Sequence, residues 1–205
     1  MPLPNRVDPF GAIHAVPDRG LFMGNRGGCI HTPDQTLKPR HWTSQRWIIC
    51  VLDFKGRKRP LMQPGLYTEL FFLDEATALA GGHRPCYECR RPDAFAFRAA
   101  LDRAGRVSAS EPVSHVDALI AGEIQSVMKD KCARETVDPA SLPDGAFFTL
   151  GGKAFLKREN MARAWSFGGY ATPVPLPARA LRLTPRATCA ALDAGYRPLL
   201  HPSAT

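Results

Sequence analysis

The sequence predicts an α+β fold: a small zinc-stabilised β-sheet with short helices, then longer helices and a β-hairpin-rich C-terminal section. Three observations carry that reading. Runs rich in β-branched and aromatic residues fill the stretch from Leu21 to Leu73, above all "RWIICVLDF" (46–54) and "LYTELFFL" (66–73). Capped stretches with helical apolar spacing follow as far as Met128. Later, Gly151-Gly152 separates two apolar runs, where paired glycines supply the positive φ that a hairpin turn needs.

In chain order, residues 1–20 are proline-interrupted and read as an N-terminal arm. Residues 21–134 form the zinc-binding α+β region, and residues 135–205 a small β-rich section with a terminal helix. The glycines and asparagine of "MGNRGGC" (23–29) predict a tight turn or bulge, with "CIH" as a short strand beyond it. Asp74 is an N-cap for the short helix "EATALA", which Gly81-Gly82 ends. "DAFAFRAALDRAG" (93–105) places Ala94, Phe97 and Leu101 on one helical face and stops at glycine. "SHVDALIAGEIQSVM" (114–128) opens with Ser114 and Asp117 in capping-box spacing. "RAWSFGGY" continues the hairpin sheet, and "ATPVPLPARA" (171–180) is an extended connection. The last helix has Thr184 as N-cap, Pro185 at its first position and Gly195 as its stop.

Composition narrows the function. The 205 residues are 44% hydrophobic and 22% charged, ordinary for a globular protein, with a formal net charge of +8 that favours an anionic partner. No apolar run reaches membrane-spanning length and the N-terminal stretch lacks a signal-type apolar core, so the expectation is a cytoplasmic protein with no membrane association. In that compartment six cysteines are metal ligands or buried thiols before they are disulfides. No P-loop, G-x-G-x-x-G, G-x-S-x-G or H-E-x-x-H pattern is present, which removes the common nucleotide, hydrolase and metalloprotease motifs.

The informative stretch is "LAGGHRPCYECRR" (79–91). A C-x2-C turn brings two thiolates to one point and frees backbone N–H groups to support them, so Cys86 and Cys89 are half of a Zn²⁺ site. The other ligands must come from afar. Cys50 on its strand and Cys29 beside the glycine turn are the nearest preceding cysteines, and His31, two residues on and on the same strand face, is an alternative to Cys29. Two other readings stand beside zinc: a pair of buried core thiols, and a redox pair, which expects its C-x2-C after a strand rather than after a helix with a Gly-Gly stop. A zinc deaminase needs H-x-E before P-C-x-x-C, and none of the six histidines is followed by x-Glu.

Residues 67–91 also resemble the zinc-binding segment of the Ada-type methylphosphotriester-DNA repair methyltransferases, in which a strand leads into a short helix and then into G-x-R-P-C-x-x-C. Ala76, Ala78, Leu79, Gly82, Arg84, Pro85, Cys86 and Cys89 fall on that pattern. The resemblance implies zinc at Cys86 and Cys89 and contact with DNA phosphates. The family's second pair, C-x3-C, has no counterpart in this sequence, so no residue inherits the methyl-acceptor role.

Basic residues supply the remaining signal. Lys55, Arg57, Lys58 and Arg59 crowd one turn, and Arg84, Arg90 and Arg91 flank the cysteines. If the two segments converge they form a phosphate-binding face; otherwise the turn is a solvated hairpin tip. Trp42, Trp47 and Tyr67 are candidates for stacking on bases or for the core. Glu69, Asp74 and Glu75 could hold a divalent ion, although Asp74 already has a capping role. The expected function is a zinc protein that binds nucleic acid, DNA in the first instance, in repair or regulation. The alternatives are an enzyme acting on nucleic acid, by alkyl transfer to a zinc thiolate or by metal-assisted hydrolysis, and a structural zinc protein with a protein partner.

Overall fold

The computed structural model describes residues 1–57, 59–108, 110–130 and 133–205. Its described residues form an α+β fold with four α-helices and two β-sheets. The first sheet contains β1 (Arg6–Val7), β2 (Ile13–His14), β3 (Phe22–Arg26), β4 (Trp47–Cys50), β5 (Leu70–Phe72) and β6 (Arg84–Pro85), in the order β2-β1-β5-β3-β4-β6. Residues 1–20 are thus not an irregular arm. They add a two-stranded edge, with β1 running parallel to β5. The stretch expected to turn at residues 23–26 is strand instead, because β3 is paired on both sides, with β4 and with β5. Gly24 makes this possible, since a Cβ there would lie 2.0 Å from the Ile48 carbonyl oxygen. The turn comes later, at Gly27 with φ +93°.

The second sheet is antiparallel. It contains β7 (Thr136–Val137), β8 (Phe147–Leu150), β9 (Lys153–Arg158), β10 (Met161–Ser166), β11 (Gly169–Tyr170), β12 (Val174–Pro175) and β13 (Ala180–Arg182). Gly151 and Gly152, at φ +56° and +76°, make the expected β8–β9 turn. The segment 171–180, expected as a plain connection, contributes β12 and the start of β13.

Helix α1 (Glu75–Ala80) lies where its cap predicts, with Asp74 accepting from the Thr77 backbone N–H. Helix α2 (Arg91–Arg103) starts at Arg91 with Pro92 in its first turn. Helix α3 (Val113–Lys129) has Pro112 at its N-cap and no side-chain cap, so Ser114 and Asp117 do not form a capping box. Asp117 is instead buried against Arg84. Helix α4 (Arg186–Asp193) is preceded by Pro185, and the hydroxyl of Thr184 accepts from the Phe147 N–H rather than capping the helix. None of these helices is long and apolar enough to cross a membrane.

The two sheets share one apolar core. Val7, Ile49, Phe72 and Leu79 from the first half pack in the same cluster as Phe148, Ala187 and Leu192 from the second. Polar contacts tie the halves as well. Asp74 Oδ1 accepts from the Thr77 N–H and hydroxyl, at 2.9 and 2.7 Å. Its Oδ2 accepts from the Tyr170 hydroxyl at 2.8 Å and the His201 N–H at 3.0 Å. Burial pushes this carboxyl upward, whereas these four donors favour its charged form. Asp74→Asn is nearly isosteric, yet its amide NH2 must face a pair of donors. We expect a loss of roughly 2–4 kcal/mol in stability, measured by urea unfolding against wild type.

Candidate metal centre

The parallel pairing of β4 with β6 builds the site. Ile48 is opposite Arg84 and Ile49 opposite Pro85, and the Cys86 N–H donates to the Ile49 carbonyl at 2.9 Å. The next residues in this register are Cys50 and Cys86, so two cysteines far apart in sequence become neighbours. The chain then turns, with the Arg90 N–H donating to the Cys86 carbonyl at 3.1 Å, and returns Cys89 to the same point. The sulfurs of Cys50, Cys86 and Cys89 lie within 4.8 Å of one another and can hold a metal ion. A tetrahedral ion with metal–sulfur bonds near 2.3 Å separates its sulfurs by about 3.8 Å, so the spacing suits a single ion.

The surroundings support thiolates. The Glu88 N–H donates to the Cys86 sulfur at 3.3 Å, the Cys89 N–H also donates to it, and the Val51 N–H donates to Cys89. The N-terminus of α2 begins two residues after Cys89 and adds the positive end of its dipole. Hydrogen bonds from Cys50 and then Cys89 hold the Cys86 thiol far below its ordinary range, and the contact with Cys86 pushes Cys50 far above its own. Three crowded sulfurs cannot all ionise unaided, which is the electrostatic demand that a bound cation meets.

Cys86 is buried, while Cys50 and Cys89 are half-buried at the wall of a cavity of about 270 Å³. That cavity shares Met23, Leu52, Arg57 and Tyr67 with a neighbouring one of about 600 Å³, so the cysteines open onto a continuous groove. Among the described residues no further Cys, His, Asp or Glu joins the three sulfurs.

Cys29 and His31, expected as further ligands, are used elsewhere. The Thr68 hydroxyl accepts from the Ile30 N–H and lies 2.6 Å from His31 Nδ1, and His31 Nε2 is 3.1 Å from the Gln63 carbonyl. A carbonyl only accepts, so Nε2 carries the proton and Nδ1 takes the threonine's. Both ring nitrogens are therefore occupied. The Cys29 thiol donates to the His31 carbonyl at 3.3 Å, with Lys38 Nζ 3.8 Å from its sulfur. Cys189 is also outside the site. Burial raises its thiol to about 12, and Cys132 lies outside the described residues.

The basic residues divide into two groups. Arg84 and Arg90 do not reach a surface. Arg84 is 5% exposed and pairs with both oxygens of Asp117, at 2.8 and 3.1 Å. Arg90 is 3% exposed and pairs with Glu75 at 2.9 Å and Asp93 at 3.0 Å. Lys55, Arg57, Arg59 and Arg91 are exposed, and Lys58 lies outside the described residues. The 55–59 turn does converge on the cysteines, because Arg57 forms an ion pair with Glu88 of the Cys86–Cys89 turn at 3.0 Å. Arg59 pairs with Glu69 at 2.6 Å and lies 4.0 Å over the Tyr67 ring. Trp47 is buried beneath Arg26 and Trp42 packs against it, which leaves Tyr67 as the exposed ring beside the groove. Glu69, Asp74 and Glu75 form no cation site, since each is engaged by buried donors.

Cys50→Ser, Cys86→Ser and Cys89→Ser are each expected to remove most of the bound metal, and Cys29→Ser and Cys189→Ala to leave it in place. Elemental analysis of the five purified variants checks this. Full metal content in Cys50→Ser would exclude the three-sulfur site.

The chain matches no protein-family model, no curated protein and no solved structure, so the chemistry of the centre is read from its own residues.

Proposed function

We propose that the chain is a zinc protein that binds nucleic acid, with its three-cysteine centre facing the bound strand. The observation carrying this reading is the convergence of the 55–59 turn on the Cys86–Cys89 turn through Arg57 and Glu88. Zinc suits an all-thiolate set at single-ion spacing. Lys55 and Arg57 supply phosphate contacts, and Tyr67 offers an exposed face for a base. The Ada-like spacing of Cys86 and Cys89 agrees with such a partner and with a place in DNA repair or regulation.

The open groove favours a second reading, alkyl transfer. Three protein ligands are the pattern of reactive rather than purely structural zinc. A zinc-held thiolate stays ionised at neutral pH and is a nucleophile. In a methylphosphotriester it would form a carbon–sulfur bond as the carbon–oxygen bond breaks, releasing a phosphodiester anion.

Titration of short duplex and single-stranded DNA at several salt concentrations tests binding. Wild type should lose affinity as salt rises, and the double variant Lys55→Ala/Arg57→Ala should have a shallower slope, by roughly 0.7–0.9 for each phosphate left without its cation. Its zinc content should be unchanged, because the Arg57–Glu88 pair is exposed and contributes little to stability. No binding by wild type at low salt would refute the nucleic-acid reading. Mass spectrometry after incubation with methylphosphotriester DNA tests transfer, which predicts one added methyl group on Cys50, Cys86 or Cys89.

A further inference from the structure

A larger cavity lies away from the cysteines, between the first sheet, the end of α3 and the second sheet. Its volume is about 750 Å³, within the roughly 300–1,000 Å³ of small-molecule sites. Its walls are mainly apolar, with Phe10, Val127, Met128, Leu150 and Leu181 among them. Leu150 and Leu181 remain 48% and 37% exposed. Large side chains on adjacent paired strands that stay this open mark an uncovered apolar face.

The charges around this face are predominantly positive. Arg134 and Arg179 line it, and among the described residues neither forms an ion pair. Arg134 is half-buried and lies 5.6 Å from the centre of the Phe10 ring. Among the described residues Asp8 is the one carboxylate in the lining, and it is already engaged by the Phe10 and Ala12 N–H groups and by His14. Behind the wall lies Arg26, fully buried. It donates to the Gly11 carbonyl at 2.8 Å and toward His83 at 3.3 Å, but one terminal nitrogen has no partner among the described residues. A Cβ on Gly11 would lie 3.6 Å from this guanidinium and 3.7 Å from the Met128 sulfur, so the charge sits next to the cavity floor. Burial lowers the Arg26 guanidinium to about 9, so it stays charged at neutral pH. The Thr149 hydroxyl, in the same lining, is buried without a hydrogen-bond partner among the described residues.

We infer that this cavity binds an amphiphilic organic anion, its apolar body against Met128, Leu150 and Leu181 and its carboxylate or phosphate head at Arg134. Arg26 and Arg134 share the field of one carboxylate, Asp8, without an ion pair to it among the described residues, and an anion in the cavity offsets the remaining cost of holding their charges there. A neutral apolar ligand would fill the walls but add no charge to the single carboxylate, Asp8, whose field reaches both Arg26 and Arg134. The site is independent of the metal centre, with which it shares no lining residue.

Isothermal titration with decanoate, decyl phosphate and decanol separates head-group from chain. At least one of the two anions should bind at least tenfold more tightly than decanol, about 1.4 kcal/mol. Whichever binds better identifies the preferred head. Arg134→Gln should abolish that preference, and Arg179→Gln, an exposed position outside any ion pair, should weaken anion binding several-fold with no change in melting temperature. Leu181→Glu, which places a negative charge at the mouth, should weaken the anions more than decanol. Equal affinity for decanol and the anions would overturn the inference, as would unchanged anion binding in both arginine variants. So would the absence of binding by either anion.

Discussion

Asp74 and Glu75 place two adjacent carboxylates, neither with any solvent exposure, at the start of α1. Most of the groups that satisfy them come from distant sequence. Tyr170 and His201 bond Asp74, while Tyr196, Leu199 and Arg90 bond Glu75. Burial raises both phenols well above their ordinary range, so each keeps its proton and donates it. The two buried negative charges are thus balanced by a guanidinium, by tyrosine and threonine hydroxyls and by backbone N–H groups. Removing any one would expose the desolvation cost of the rest. The C-terminal segment from Tyr196 to His201 is therefore part of the support for α1, and α1 in turn sets the position of the chain that enters the cysteine turn.

That chain is held by a second buried pair. Arg84, in the two-residue β6, meets Asp117 of α3 through both carboxylate oxygens, and such a bidentate contact fixes direction as well as distance. It ties β6 to α3, while the pairing of β6 with β4 places Cys86 next to Cys50. Arg90 ties the far side of the turn to α1 through Glu75. Arg84 and Arg90 thus orient the backbone that carries the sulfurs, and the outward-facing positive charge belongs to Arg91 and to the 55–59 turn.

Local chemistry is legible in the sequence where it acts over a few residues. The Asp74 cap, the Gly81-Gly82 stop and the Gly151-Gly152 hairpin each involve short-range contacts, and each stands where its residues predict. Cys50, Cys86 and Cys89 are legible as a set, since a C-x2-C turn needs a partner and Cys50 lies on a strand. Cys29 is not distinguishable from a ligand, because the groups that occupy its neighbour His31, Thr68 and Gln63, arrive from more than thirty residues away. Arg84 and Arg90 look like surface cations in a basic run, and only the fold brings Asp117 and Glu75 to them. The β1–β2 edge leaves no sequence signature, because strands of two residues have no period to detect.

Strand alternation is what lets one sheet serve two different environments. Along β3 the buried positions are Phe22, Gly24 and Arg26, while Met23 and Asn25 line the cysteine cavity. Along β4 Trp47 and Ile49 face inward, while Ile48 and Cys50 line the same cavity. Cys50 and the stacked Arg26–Trp47 pair, 4.2 Å from guanidinium carbon to ring centre, therefore lie on opposite faces of the same two strands. A slip of one residue would move Cys50 into the core and the Arg26 charge onto the metal face. Gly24 guards against this, because its close approach to Ile48 leaves no space for a side chain and holds β3 tightly on β4. The same register that assembles the three sulfurs thus keeps a fully buried guanidinium away from them and beside the larger cavity, where its charge has an anion-sized space to act on.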